Sequence, residues 1–269
     1  MKIFSDKKKL AKFIYNEKNL GFVPTMGAIH KGHISLFNKS INQCNKTIVS
    51  IFINKPQFNR NSDFRRYPRV LKMDIANLKR RKIDYLYLPK VKQIYPNGPK
   101  KKIIINSFKK KLCGKDRPGH FEAIVDVIER FIKIINPNKI YLGEKDMQQL
   151  KIIEDFVNKK YPKVKIIGCK TVRETNGVAY SSRNLLLSTK ERNIASTIYK
   201  ILESKKNIII KKKISLRKIT SIVLAIGATK VDYIKVLNVN KIVKPFKNKK
   251  KIRIFIAYYL GSTRLIDNI

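Results

Sequence analysis

Apolar runs bounded by turns alternate with helix-spaced patterns through the first two-thirds of the chain, which is how βα units of a parallel sheet read. LGFVPT (20–25) has no polar face and predicts a buried strand, and the apolar positions of 34–44 predict the helix after it. A strand over 47–53 leads into a long loop through Pro56 and Pro68, then a helix over 70–82, a strand over 84–89 and a turn at YPNG (95–98). Apolar residues recur at helical spacing over 121–135, and Pro137 stops that helix. A strand over 139–143, a helix over 146–160 and a strand over 164–170 complete the series.

The pattern changes after about residue 175. Ser188 and Glu191 form an S-x-x-E capping box that starts a helix, and 231–239 and 251–260 read as strands. The expected fold class is α/β, a parallel-sheet domain followed by a smaller α+β unit. No internal repeat interrupts it, and the Lys-rich segments stay interleaved with Ile and Leu.

Composition narrows the setting. At 269 residues and 43% hydrophobic the chain can bury a substantial core. No stretch approaches the roughly 20 apolar residues of a membrane span, and the start MKIFSDKKKLAKF carries charge where a signal peptide needs an apolar segment, so a cytoplasmic protein is expected. Cys44, Cys113 and Cys169 lie far apart without C-x-x-C spacing, which indicates neither a disulfide framework nor a thiolate zinc site. The net charge of +43 invites a polyanion-binding reading. Yet the charge is spread along the whole chain and Lys rises together with Ile and Asn, residues that share A- and T-rich codons. Codon bias accounts for all three excesses and nucleic-acid binding for only the first, so no specific nucleic-acid partner is expected.

The first chemical constellation is VPTMGAIHKGH (23–33), a strand end, glycines and two histidines immediately before a helix. Turns at the carboxyl edge of a parallel sheet direct amide N–H groups and the positive helix end toward an anion. Gly27 and Gly32 permit close backbone approach, and His30 and His33, three apart, can face one side. Two imidazoles there would donate to phosphate oxygens as charge builds. Metal ligation and surface placement are the alternatives; with only His120 besides and no Cys cluster, no protein metal site is expected.

H-x-G-H after a strand belongs to a nucleotidyl-transferring superfamily that includes class I aminoacyl-tRNA synthetases and does not select a member alone. The flanking PTMGAIHKGH is narrower and resembles the ATP-binding segment of the pantothenate synthetases, also called pantoate–beta-alanine ligases. Further resemblances follow in family order at 50–69, 117–131, 141–150 (YLGEKDMQQL), 172–188 (VRETNGVAYSSRNLLLS) and 260–268 (LGSTRLIDN), so the likeness covers nearly the whole chain.

That resemblance implies a Rossmann-like ATP- and pantoate-binding domain at 1–172 and a lid domain at 173–269. It implies ATP contacts from Met26, Gly27, Ala28, Ile29, His30, Lys31, Gly32 and His33, from Gly143, Glu144, Lys145 and Asp146, and from Val172, Tyr180, Ser181, Ser182 and Arg183. Gln57 and Gln149 would bind pantoate, Gln57 also beta-alanine with Arg117 and His120 nearby, and His33 would be the catalytic histidine. The residue types suit these tasks. Lys145 carries a mobile ammonium, Arg183 a forked cation for pyrophosphate, and an amide offers donor and acceptor groups without a fixed charge that would trap the pantoate carboxylate. The implied reaction condenses pantoate with beta-alanine through pantoyl adenylate, with Mg2+ accompanying the triphosphate, in a cytoplasmic homodimer with no membrane partner. Three departures stand out: Lys55 moves Pro56 next to Gln57, Tyr180 precedes the two serines, and Ile29 precedes His30.

Two other readings use parts of the same residues. A nucleotidyltransferase acting on a phosphorylated alcohol keeps H-x-G-H but leaves Gln57 and Gln149 without a task, and an RNA-binding protein uses only the charge. The ligase reading requires His30, His33, Lys145 and Arg183 to share one cavity.

Overall fold

The computed structural model describes residues 1–100, 102–239 and 252–269. Strands β1 (Lys2–Phe4), β2 (Leu20–Thr25), β3 (Lys46–Ile51), β4 (Tyr85–Tyr87), β5 (Lys139–Gly143) and β6 (Lys165–Cys169) form one sheet in the order β1-β4-β3-β2-β5-β6. All its pairings are parallel.

The apolar runs lack a polar face because both faces of this sheet are covered. Successive side chains alternate between two clusters. Phe22, Ile48, Tyr87, Ile140 and Leu142 pack with the helices Lys7–Ile14, His120–Ile135 and Met147–Lys160. Val23, Val49, Leu86 and Tyr141 pack on the other side with Leu36 and Phe37 of the helix Lys31–Ile41 and Leu78 of Leu71–Arg80. The helix His120–Ile135 is buried over most of its surface, and the Phe131 ring meets those of Phe22, Phe52 and Tyr87 at 5.3–6.2 Å between centroids. Its C-cap Asn136 adopts left-handed backbone (φ 49°) just before Pro137, so the stop read from the sequence is real.

A second sheet, β7 (Lys230–Asn238), β8 (Ile252–Leu260) and β9 (Thr263–Asn268), is antiparallel in that order. β8 is its central strand, and both faces are covered. Ile254, Ile256, Tyr258 and Leu260 join a cluster built with the helices Thr189–Ser204 and Leu216–Ile226, while Phe255 faces the core of the parallel sheet. The Ser188–Glu191 capping box forms as expected, Ser188 Oγ accepting from the Glu191 amide at 3.2 Å and Glu191 returning the bond at 2.8 Å.

Several boundaries differ from the sequence reading. The helix expected over 34–44 begins at Lys31 and ends at Ile41, because His30 takes the N-cap position and the amides of Asn42, Gln43 and Cys44 all turn back onto the carbonyl of Ser40 or Asn38. The strand expected to 53 ends at Ile51. The long loop after it holds a 3-10 turn, Lys55–Gln57, with Pro56 at its start, and a helix, Asn61–Arg66. β1, the helix Lys7–Ile14 and β9 have no counterpart in the expectations. Lys251, the first residue of the strand expected over 251–260, lies outside the described residues. No helix among the described residues is long and apolar enough to cross a membrane.

β2 has its sequence successor β3 on one side and β5 on the other, so the strand order reverses at β2. Such a reversal leaves a crevice at the carboxyl ends of the strands.

Candidate active site

A cavity of about 690 Å³ opens at that crevice, within the range of small-molecule sites. His30, His33, Lys145 and Arg183 all line it, together with Gln57 and Gln149, so the groups that the sequence scatters over 150 positions share one space.

The β2 turn is held from within. Gly27 (φ 81°) and Ala28 (φ 50°) are both left-handed, a conformation glycine adopts freely and alanine only at a cost of about 1 kcal/mol or more. Thr25 Oγ1 accepts from the Gly27 amide at 3.2 Å, and the buried Asp74 carboxylate accepts from the amides of Ala28 and Ile29 at 2.9 and 2.8 Å. The turn amides that the sequence suggested would face an anion are engaged within the protein, those of Ala28 and Ile29 by Asp74 and that of Gly27 by Thr25, and these three residues are not among those lining the cavity. The first turn of the helix Lys31–Ile41 follows, whose opening amides have no partner inside the helix. Lys31 is not among the lining residues; its Nζ lies 6.0 Å from the Tyr180 ring centroid.

The imidazoles of His30 and His33 stack 4.0 Å apart at 27°, and Tyr180 continues the stack 6.1 Å beyond His30. Gly32 lies beneath them, and a Cβ there would sit 2.9 Å from His30 Cε1, so a larger residue would displace the His30 ring. Burial, then the Lys145 ammonium, pulls His30 down to about 4 despite the opposing Asp146 carboxylate. His33 is held well below its ordinary range by burial, His30 and Lys145. Both rings are thus neutral at pH 7. The His30 amide donates to His33 Nδ1 at 3.4 Å, while His30 Nδ1 is a buried atom with no partner among the described residues.

β5 delivers the second group. After Gly143 the chain makes one 3-10 turn, Glu144–Asp146, before the helix Met147–Lys160. Lys145 Nζ lies 3.7 Å from Asp146 Oδ1 at the cavity wall. Glu144 does not line the cavity; its carboxylate pairs with Arg253 at 2.8 Å. Both residues of the following Gln148-Gln149 pair line the cavity, but their bonding differs. Gln148 is buried, accepting from the Cys113 amide at 3.1 Å and donating to the Phe108 and Lys111 carbonyls at 2.8 and 2.6 Å. The Gln149 amide lines the cavity without a protein hydrogen bond among the described residues.

Gln57 is fixed at both ends. Asn54 Nδ2 donates to its Oε1 at 3.1 Å, its Nε2 lies 3.1 Å from Met26 Sδ, and Asn54 is itself buried and receives Tyr95 Oη at 2.7 Å. Its backbone carbonyl takes His120 Nδ1 at 2.8 Å and Arg117 Nη2 at 3.0 Å, and Arg117 Nη1 sits 2.9 Å from His120 Nε2. A carbonyl only accepts, so Nδ1 carries the hydrogen and Nε2 receives the guanidinium. Burial and the Arg117 charge hold His120 well below its ordinary range, consistent with a neutral ring. The polar atoms of Arg117 and His120 are thus directed at Gln57.

The last group comes from the loop after β6. The Tyr180 amide donates to the Val172 carbonyl at 3.1 Å, and Ser181 Oγ accepts from the Arg183 amide at 3.3 Å. Ser182 is buried and donates toward the Ala28 carbonyl at 3.2 Å, tying this loop to the β2 turn. Arg183 reaches Asp63 at 2.9 Å beside the Tyr67 ring. Asp63, Asp74, Asn54 and Arg253 escaped the sequence reading: Asp63, Asp74 and Arg253 work through partners far away in sequence, and Asn54, though three residues from Gln57, is itself held by the distant Tyr95. Among the described residues no group of three His, Cys, Asp or Glu side chains is placed to hold a metal ion.

A family model described as pantoate-beta-alanine ligase matches residues 2–269. A pantothenate synthetase of Caldicellulosiruptor saccharolyticus is 40% identical over 256 residues, 94% of this chain and 91% of the relative. One from Pseudothermotoga lettingae is 36% identical over 272 residues, covering 100% and 97%. Among solved structures, the pantoate-beta-alanine ligase of Francisella tularensis, complexed with beta-gamma ATP and beta-alanine, superposes with a TM-score of 0.86 at 36% identity over 100% of this chain and 97% of that one. The pantothenate synthetase of Thermus thermophilus gives 0.88 at 30% identity over 100% and 99%.

Proposed function

This chain belongs to the pantoate-beta-alanine ligase family, and from that premise we propose that it condenses pantoate with beta-alanine at the expense of ATP, giving pantothenate, AMP and pyrophosphate. The observation that carries the reading is the single cavity lined by His30, His33, Lys145, Arg183, Gln57 and Gln149.

The triphosphate lies against the first turn of the helix Lys31–Ile41, with His30 and His33 as neutral donors, Lys145 as the mobile cation and Arg183, released from Asp63, over the leaving pyrophosphate. The main-chain groups of Gly143 and Val172 and the Tyr180 ring line the nucleotide side. Gln57, held by Asn54, Arg117 and His120, and Gln149 with its open amide hold pantoate so that its carboxylate faces the α-phosphate. Attack there forms pantoyl adenylate, and His33 stabilises the charge that builds on the phosphate oxygens. Beta-alanine bound near Gln57 then attacks the acyl carbon and expels AMP. Arg117 and His120 serve it through the Gln57 backbone.

Mg2+ accompanies the triphosphate and neutralises part of its charge. The wall suits an ion that keeps its water: Asp146, its side chain 45% exposed, is the carboxylate closest to Lys145, and no three-ligand cage surrounds it among the described residues. The proposal divides the chain into a nucleotide- and pantoate-binding unit, 1–172, and a lid, 173–269, whose Ser181–Arg183 loop shields the adenylate from water. It also carries a cytoplasmic homodimer.

Release of AMP measured with pantoate and beta-alanine together, and with each omitted, tests the reading. Full turnover requires both, and pyrophosphate release persists when beta-alanine alone is left out and adenylate accumulates. AMP formation independent of pantoate, a dinucleotide-like product, or salt-sensitive RNA binding without ATP consumption would overturn it.

A further inference from the structure

The end of β9 is tied to the turn that carries Lys145. Asn268, 3% exposed, directs its side-chain NH2 at two consecutive carbonyl oxygens, those of Glu144 and Lys145, each at 2.8 Å. Its own Oδ1 accepts from Arg253 Nη1 at 2.6 Å, and Arg253 Nη2 returns to the Glu144 carboxylate at 2.8 Å. Asn268 thereby grips the peptide units on both sides of Lys145 Cα, while Arg253 holds Asn268 and the Glu144 carboxylate. The same strand end also reaches the other nucleotide-facing loop. Arg173 binds the Asp267 carboxylate at 2.6 and 3.1 Å and the Asn268 carbonyl at 3.2 Å.

A 3-10 turn of three residues has too few internal bonds to fix its own orientation, and Lys145 is long and flexible. Where its ammonium can reach depends on where its backbone stands. From these contacts we infer that Asn268, supported by Arg253, is a positioning residue for Lys145: it sets the peptide planes of the Glu144–Asp146 turn so that the ammonium meets the triphosphate. The inference rests on the reading that Lys145 binds ATP.

Asn268→Asp tests this with little change of shape. Asp keeps an acceptor for Arg253 but replaces the NH2 donor by an oxygen facing two carbonyl oxygens. Displacements on the order of 1 Å at a reacting group cost about a hundredfold. The expected result is an ATP KM raised on the order of ten- to a hundredfold with the pantoate KM within about twofold of wild type. Asn268→Ala, which removes the grip without adding repulsion, gives the same split to a smaller degree and replaces Asn268→Asp if that variant fails to fold.

A double-mutant cycle with Lys145→Ala separates positioning from general support. If Asn268 acts through Lys145, the Asn268 substitution adds less than about twofold in the Lys145→Ala background. Equal damage to ATP and pantoate use, or an undiminished effect without Lys145, overturns the inference alone. Lys145→Ala with an unchanged ATP KM removes the underlying reading of Lys145 and the inference with it.

Discussion

Arg183, the cation assigned to pyrophosphate, already holds an anion of the protein's own. Its partner Asp63 is 2.9 Å away, and the two side chains are 25% and 33% exposed, so the pair is of the solvent-screened kind worth about 0.5–1 kcal/mol. At that strength Arg183 is unpaired about 15–30% of the time, and a ligand that needs it free binds more weakly by the same fraction. Asp63→Asn abolishes the competitor while keeping the side chain's shape, and predicts about three- to sixfold tighter binding of inorganic pyrophosphate or a non-hydrolysable ATP analogue. Removal of a carboxylate from the cavity wall acts in the same direction. Titration calorimetry at low ionic strength reads the change, and raising salt to about 0.5 M shrinks it as screening weakens the original pair. Unchanged or weaker pyrophosphate binding by Asp63→Asn at low salt would show that the pair positions Arg183 and does not occupy it.

Three further outcomes follow from the geometry. His33→Ala lowers the adenylate-forming step by about 10²–10³, the range for loss of one charge-stabilising donor, and single-turnover pyrophosphate release checks it. His120→Ala deprives the Gln57 carbonyl of a buried hydrogen bond worth about 1–2 kcal/mol, so pantoate KM rises about 5- to 30-fold while ATP KM stays near wild type; steady-state kinetics with each substrate varied decides it. His30, His33 and His120 are all held below their ordinary value of 6.5, His30 at about 4, so below that value the unfolded chain binds protons that the native protein refuses. Their share of stability is intact at pH 7 and is lost as pH falls, by up to about 1.4 kcal/mol per pH unit for each histidine. Denaturant unfolding at pH 7, 6 and 5 follows this, and His33→Asn must show a shallower slope than wild type.

The strands nearest the site were the most legible in the sequence. LGFVPT and KIYLG match β2 and β5 residue for residue, because strands buried on both faces are continuous apolar runs between turn residues. The Ser188–Glu191 box was equally plain, being a contact between residues three apart. β9 went unread because Arg264, Asp267 and Asn268 break its apolar pattern. Each is committed to a distant partner: Asp232 for Arg264, Arg173 for Asp267 and the Glu144–Lys145 carbonyls for Asn268. The early start of the helix at Lys31 was hidden by Gly32, a poor helix former retained because His30 lies against it. At the site, the residues assigned to ligands announced themselves by motif, whereas Asp74, which holds the Ala28 and Ile29 amides, and Asp63, which pairs with Arg183, meet their partners only in three dimensions.

The reversal of strand order at β2 has a consequence for how freely this protein has varied elsewhere. The cavity opens at a gap left by the path of the backbone at the strand ends, and its place is set by that path and not by the charge of the exterior. An excess of 61 basic side chains over 18 acidic ones is therefore compatible with an intact cavity. Surface replacement can recolour the outside of the molecule toward lysine and asparagine while the interior route of the chain keeps its course.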